Sequence, residues 1–186
     1  MNKANSQDQD LDQVTLVDEK DRVVGKMDKI EAHRGKGKLH RAVSVFLFNE
    51  KGEVLAQKRS EFKIVAAHKW ANTACGNVRP TENYKQCAKR RLNEELGIKG
   101  VKLKFIKKFQ YSTQFDNGFS EKEIDSVFAG TSGSELKPNP EEVEDFAWID
   151  FKTMLIKANQ EDWAPWVEII FKQKEIKRTL NKYAKS

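Results

Sequence analysis

The sequence predicts one mixed α/β (α+β) domain, and three observations carry that prediction. Short apolar runs alternate with a period of two and are divided by turns bearing Gly and Asn, which is the mark of strands and hairpins. One helical stretch, residues 82–96, interrupts them midway. Two further helical regions close the chain, so that strands, a central helix, strands and helices follow one another, the order expected of helices covering a sheet. A chain of 186 residues is long enough to bury a core of its own.

The elements read in order. Residues 1–11 are polar and without periodicity, and a disordered start is expected there, leaving 12–186 as the domain. The run from Val14 to Val17 and that from Arg22 to Gly25 flank a charged turn and predict a hairpin. Residues 32–38, rich in Gly, Lys and His, read as a loop. From His40 onward, Val43, Val45 and Leu47 alternate with Ser44, Phe46 and Phe48. A turn at 49–52 and a returning run at 54–58 then predict a second hairpin. For the helix over 82–96, Thr81 is placed to cap the start, and Gly97 stands where a left-handed C-cap wants glycine. Residues 101–109 and 124–129 read as strands. Residues 141–158 and 165–184 read as helical, with Pro138 and Pro140 punctuating the loop before them. No internal repeat is present.

Composition narrows the function. Charged residues make up 33% and hydrophobic ones 38%, which suits a water-soluble globular chain. The longest apolar run, around residues 43–48, is far too short to span a bilayer. With no charged-then-apolar opening segment, a cytoplasmic location is expected. Cys75 and Cys87 are expected to be free thiols, Cys87 packed within the helix without a functional role. A net charge of +6 is compatible with nucleic acid, a membrane surface or a small anion. The densest basic cluster, residues 172–185, coincides with an amphipathic pattern that includes Trp166, Ile169, Ile170, Ile176 and Leu180. It reads as a packed terminal helix and not as a nucleic-acid arm.

The stretch from Gly76 to Ile98 carries the chemistry. Glu82 follows Gly76 by six residues, Arg90 comes eight further on, and Arg91, Leu92, Glu94, Glu95, Gly97 and Ile98 complete it. Arg90 with Glu94, and Arg91 with Glu95, are four apart and so share a helix face. A carboxylate held by arginine stays ionised, and Mg²⁺ takes anionic oxygens, which it prefers to share with substrate phosphates. This pattern resembles the Nudix box, with Arg91 standing where hydrolases place a glutamate. The resemblance implies the Nudix fold, a mixed β-sheet sandwiched by helices in a single domain.

The flanks sharpen it. Trp70-Ala-Asn-Thr-Ala-Cys75-Gly76 runs into the box, His33 and His40 stand upstream, and Glu121-Lys-Glu123 lies downstream. Over roughly residues 14–170 the chain is similar to the type 1 isopentenyl-diphosphate isomerases, a Nudix branch that interconverts isopentenyl and dimethylallyl diphosphate. The resemblance implies the following roles. Cys75 and Glu123 lie on opposite faces of the allylic unit, one donating a proton and one removing one, with Tyr111 assisting near Glu123. Trp166 lays its ring against the developing tertiary cation. His33, His40, Glu121 and Glu123 hold a divalent metal (Mn²⁺, Mg²⁺ or Zn²⁺). Glu95, with the backbone carbonyl of Cys75, helps hold Mg²⁺ on the diphosphate, whose oxygens meet Lys29, Arg59, Lys63 and Arg91. The chemistry asks for these types: a carbocation needs a dry pocket, an indole face stabilises it without offering a lone pair, and acid and base must reach different carbons.

One position departs from the family. Where a third imidazole would follow Cys-Gly, this chain has Asn77, a neutral oxygen ligand that suits Mg²⁺ or Mn²⁺ better than Zn²⁺. Three readings follow: an isomerase with an altered metal site, a Nudix hydrolase cleaving a nucleotide or prenyl diphosphate, or a weakly catalytic binder of diphosphates or RNA. The intact set of Cys75, Tyr111 and Glu123 favours the first; the near-complete box speaks for the second, in which Glu94 would be a metal ligand. No RNA-binding signature supports the third. His68 has no geometric claim to replace the missing imidazole. Taken singly, Cys75 reads more readily as a buried structural thiol and Trp166 as a core residue at a helix start, and Glu121 and Glu123 also fit a charged strand face. The expected partner is a small diphosphate, with no nucleic acid and no membrane, and the expected state is a monomer or weak homodimer.

Overall fold

The computed structural model describes residues 12–185, so the start expected to be disordered, residues 1–11, lies outside the described residues. In chain order the elements are β1 (Gln13–Val17), β2 (Val23–Asp28), α1 (Lys29–His33), β3 (His40–Phe48), β4 (Glu53–Arg59), β5 (Trp70–Ala71) and β6 (Ala74–Asn77). After these come α2 (Tyr84–Leu96), β7 (Lys104–Gln114), β8 (Ser120–Thr131), β9 (Val143–Asp150), α3 (Phe151–Lys157), α4 (Pro165–Lys172) and α5 (Lys174–Tyr183).

The strands join in one mixed sheet centred on β3, which is buried on both faces. β3 runs parallel to β8 from His40↔Glu123 to Phe48↔Thr131, and antiparallel to β6 from Ala42↔Asn77 to Val45↔Ala74. Alternation along β3 assigns its side chains to two layers. Val43, Val45 and Leu47 pack with Cys87, Ala88, Leu92 and Leu96 of α2. Phe46 and Phe48 pack on the other face with Phe151, Met154, Trp166, Ile170, Ile176 and Leu180 of the closing helices. Helices therefore cover both faces, as the sequence predicts. Each fully buried large apolar side chain contributes roughly 1.5–3 kcal/mol.

Several boundaries differ from the expectation. The first hairpin forms as β1 and β2. The second exists only at its turn: β3 and β4 share the pair Phe48↔Val54 and then diverge, because β4 pairs instead with β9 over Glu53–Arg59. Residues 143–150, read as helix, are this β9 strand. Its partners lie some ninety residues back (Val54↔Ile149, Leu55↔Trp148), so long-range pairing overrides the local pattern. Only Phe151–Lys157 of that region is helical, and it is capped by Asp150. The final helical region is two helices, broken where Gln173 takes extended ψ. Gln173 thus redirects α5 so that Ile176 and Leu180 reach the core.

The central helix begins two residues later than expected. Asn83, not Thr81, caps it in a reciprocal capping box with Gln86, while Gly97 at φ 70° closes it in the left-handed conformation as predicted. Part of the predicted 32–38 loop belongs to α1, and β7 and β8 reach further than the runs at 101–109 and 124–129, forming a long antiparallel hairpin. Among the described residues, no helix is long and apolar enough to cross a membrane.

Candidate active site

The register of four adjacent strands builds the floor of the site. β6 sets Cys75 opposite Ser44 and Asn77 opposite Ala42. β8 sets Glu123 opposite His40, and β7 sets Tyr111 opposite Glu123. Directly paired residues project to the same side of a sheet, so Cys75, Asn77, His40, Glu123 and Tyr111 share one face. A cavity of about 430 Å³ opens over it. Each side chain expected at the site lines this cavity except His40 and Glu95, which are fully buried around it.

At one end His33, His40, Glu121 and Glu123 converge, each offering a ligand atom within 4.8 Å of the others. α1 is capped by Asp28, which accepts from the Glu31 N–H, and its last residue, His33, comes 4.7 Å from His40 between ring centroids. Each ring directs Nδ1 at a backbone carbonyl, of Lys29 at 2.6 Å and of Lys38 at 2.7 Å. Donation there leaves both Nε2 atoms facing the carboxylates, His33 3.0 Å from Glu121 and His40 3.5 Å from Glu123. The Glu121 oxygen that faces His33 is Oε2, which is buried. Two imidazoles oriented from behind and two buried carboxylates form a donor set that fits a divalent cation. Asn77 faces the same group, its Nδ2 lying 3.0 Å from His40 Nε2 and 3.2 Å from Glu123 Oε1. A half-turn of that amide presents Oδ1 instead.

The protonation of the cluster follows from burial and neighbours. Burial raises Glu123 well above the carboxylate range, and the Glu121 charge adds to it. Burial also works on Glu121, but the His33 hydrogen bond and charge outweigh it and hold that carboxyl at about 2. Burial and the nearby His33 push His40 down to about 4. Burial would lower His33, yet its bond to Glu121 prevails and raises it. Tyr111 donates its hydroxyl to Glu123 at 2.6 Å, and burial with Glu123 beside it keeps the phenol protonated.

At the cavity's middle, Arg59 Nη1 donates to Cys75 Sγ at 3.3 Å. Burial raises the thiol's pKa while Arg59 opposes the shift. The same guanidinium lies 5.0 Å from the Trp166 ring centroid, and Trp166 Nε1 donates to the buried Asn72 Oδ1 at 3.1 Å, which fixes the indole's plane. Arg59 is itself held by the Val65 carbonyl, at the start of a loop where Ala66 and His68 both take positive φ. Such conformations cost about 1 kcal/mol or more each and persist where the surroundings impose them.

The far end is cationic and framed by α2. Arg91 Nε donates to the Cys75 carbonyl at 3.1 Å and to Glu95 Oε1 at 2.9 Å, so these two oxygens converge on one positively charged group. This convergence fits the expected Mg²⁺ pair of donors in kind. The expected pairing of Arg90 with Glu94 is present at 2.8 Å. Gly76 makes the approach possible, since a Cβ there would meet Arg91 Cδ at 2.8 Å. Arg90 grips both oxygens of Glu82, and Glu94 accepts from Arg90 and Arg91, so neither carboxylate stands free of arginine. His68 pairs with Glu144 outside the metal cluster, and Cys87 is buried under the floor.

Several residues of the site were given no role by the sequence reading, Asn72 among them although it lies in the run before Cys75. Gln57 donates to Glu95 Oε2 at 2.5 Å from β4, and Asn72 orients Trp166. Ser44 donates to the buried Asp125, two residues along β8 from Glu123. Glu142 binds Arg91 and Lys63. For Asp125 a cue was available as well, because it extends the period-two row of Glu121 and Glu123.

The model of the NUDIX domain matches residues 38–168. The Isopentenyl-diphosphate Delta-isomerase 1 of Aromatoleum aromaticum is 41% identical over 84% of this chain and 89% of its own length. The Isopentenyl-diphosphate Delta-isomerase of Aliivibrio fischeri strain MJ11 is 41% identical over 86% of this chain and 93% of its own. Among solved structures, DR0079 from Deinococcus radiodurans aligns with a TM-score of 0.69 over 89% of this chain and 98% of that one. At 22% identity that likeness speaks to the fold.

Proposed function

This chain belongs to the NUDIX domain family and, within it, to the isopentenyl-diphosphate Delta-isomerases; it is an enzyme that converts isopentenyl to dimethylallyl diphosphate, and we propose which of its residues do the work. Glu123, fed by the Tyr111 hydroxyl, adds a proton to the terminal methylene carbon. Cys75, with Arg59 beside it to favour the thiolate, removes one from the carbon next to the diphosphate-bearing position. One proton is gained and one lost, so the diphosphate ester is untouched and the double bond moves by one carbon. Trp166 offers its ring to the tertiary cation between the two transfers, a stabilisation of roughly 0.5–2 kcal/mol or more in a dry pocket. Lys29, Arg59, Lys63 and Arg91 hold the diphosphate, whose binding energy positions the reacting carbons.

His33, His40, Glu121, Glu123 and Asn77 are assigned to one divalent metal, Mn²⁺ or Mg²⁺ ahead of Zn²⁺. Glu95 with the Cys75 carbonyl is assigned to the Mg²⁺ that accompanies the diphosphate. A cation in the first site supplies positive charge that makes a bound carboxyl a stronger acid. We place the enzyme in the cytoplasm, in keeping with two free thiols, and take it to act on its small diphosphate as a monomer or weak homodimer. The observation that most supports these roles is that the thiol and the Glu123–Tyr111 pair share one cavity with the Trp166 indole. The arginine partners of Glu82 and Glu94 weigh against a hydrolase use of those carboxylates. Proton NMR with isopentenyl diphosphate, Mg²⁺ and Mn²⁺ in D₂O is the test. Dimethylallyl diphosphate carrying deuterium, with no phosphate released, is the expected result. Phosphate release without isomerisation would overturn it in favour of hydrolysis.

A further inference from the structure

The cationic end of the cavity already holds an anion of its own. Glu142 stands in the turn before β9, where its N–H donates to the Asn139 carbonyl at 2.9 Å and its carbonyl accepts from the Ser60 N–H at 3.1 Å. From there its carboxylate reaches back into the cavity. Arg91 Nη2 donates to Oε2 at 2.5 Å and Nη1 lies 3.3 Å from Oε1, an end-on bidentate contact, while Lys63 Nζ pairs with the same Oε2. The two cations are largely buried, with 13% and 12% of their side chains exposed, and the Glu142 side chain is 23% exposed to the cavity mouth. Planar recognition of a carboxylate by a guanidinium uses the same donors that recognise a phosphate. Glu142 therefore sits where two of the four proposed diphosphate ligands would receive an oxygen.

We propose that Glu142 is a built-in competitor for the diphosphate subsite and makes that subsite discriminate in favour of a metal-chelated diphosphate over a free one. The inference rests on the reading that Lys63 and Arg91 bind the substrate's diphosphate. A free diphosphate must displace the carboxylate from both cations and leave a third negative group beside Glu94 and Glu95, which already crowd Arg91 at 2.8 and 2.9 Å. A chelated diphosphate brings less net charge, and its cation gives the displaced carboxylate a new counter-charge. The metal-free ligand is thus penalised by like-charge repulsion and by the lost ion pairs, and the chelated ligand is not.

Calorimetric titration with inorganic pyrophosphate, with and without Mg²⁺, tests this on the full chain. Wild type should bind the Mg²⁺ complex more tightly than free pyrophosphate. Glu142→Gln should bind free pyrophosphate about tenfold more tightly than wild type, so that the advantage given by Mg²⁺ shrinks by about the same factor. Glu142→Asp, with its carboxylate withdrawn from the cations, should move the same way. A residue that merely positions Arg91 would give the opposite sign, and weaker or unchanged metal-free binding in both variants would overturn the proposal. The underlying reading fails in a different way: wild type would bind Mg²⁺-pyrophosphate no better than Lys63→Ala does.

Discussion

Arg59 and Cys75 are joined by a hydrogen bond of 3.3 Å from guanidinium to sulfur, in a chain where burial otherwise drives the thiol toward its protonated form. Of the cations that oppose that shift, Arg59 acts most strongly, ahead of Lys63 and Arg91. Arg59→Met keeps most of the stem and removes the charge, and the thiol's pKa should rise. Iodoacetamide should alkylate Cys75 about tenfold more slowly at fixed neutral pH, the equivalent of one unit. An unchanged rate would show that Arg59 does not govern the thiol. Cys87, buried under the floor, should stay unreactive in both proteins.

Cys75→Ala removes a proton-transfer group and leaves Lys63 and Arg91 paired as before, while Arg59, which loses the sulfur, stays held by the Val65 carbonyl. Turnover should fall by at least about 10²-fold, the usual contribution of a positioned acid or base. Pyrophosphate affinity should change by less than about threefold. Full turnover without the thiol would remove Cys75 from the chemistry.

Much of the site was legible because its residues fall in ordered motifs. The Cys75-Gly76 approach to the box, the i, i+4 pairs on α2 and the period-two acids of β8 each encode geometry locally. What was hidden depends on pairing across long separations. Residues 143–150 mix acids and apolar side chains in a way that passes for a helix, and only β4, distant in sequence, makes them a strand. Glu142 is 51 residues from Arg91, and Asn72 is 94 from Trp166, so neither contact has a local signature. The split at Gln173 is set by where the core lies, which the amphipathic pattern of the last helices does not reveal.

Asp125 makes the metal-free protein sensitive to pH. Burial raises its carboxyl to about 7, and Oδ1 has no partner although Ser44 donates to Oδ2. The folded pKa lies above the ordinary value of 3.8, so the folded state binds the extra proton. Stability from this group is full below about pH 4 and is lost as pH rises toward 7. Chelator-treated wild type should melt at a lower temperature at pH 8 than at pH 5. Asp125→Asn, neutral throughout, should be the more stable protein at pH 8, by about 1–3 kcal/mol. A wild-type Tm that does not fall across that range, or an Asn variant no more stable at pH 8, would refute the account.

Asn77 decides the metal. Its amide touches His40 and Glu123, so Asn77→His would direct a third imidazole into the cluster. Affinity for Zn²⁺ should rise tenfold or more, with a smaller change for Mg²⁺, because imidazole suits the softer ion. Binding should release a proton in wild type and variant alike, since the bond to Glu121 favours the protonated form of His33 in the metal-free cluster and an imidazole ligand must be neutral. Affinity should accordingly increase with pH, which calorimetry in two buffers of different ionisation enthalpy will read directly. No gain in Zn²⁺ affinity would place Asn77 outside the metal's reach.

Gly76 earns its place in the box through Arg91. A methyl group there would stand 2.8 Å from Cδ and 2.9 Å from Cγ and Nε of a side chain pinned by the Cys75 carbonyl, Glu94, Glu95 and Glu142. The end of an arginine is flexible, but Cγ and Cδ belong to its stem, and the guanidinium, Nε included, has four acceptors to abandon if it moves. Overpacking of this kind costs typically about 1–3 kcal/mol, and Gly76→Ala should lower the Tm accordingly. The functional effect should exceed the structural one. Displacing Arg91 disturbs the Cys75 carbonyl and Glu95 together, so KM for the Mg²⁺-diphosphate should rise while the alkylation rate of Cys75, governed by Arg59, stays near that of wild type. A Gly76→Ala enzyme with unchanged KM would mean that Arg91 reaches the diphosphate by another path.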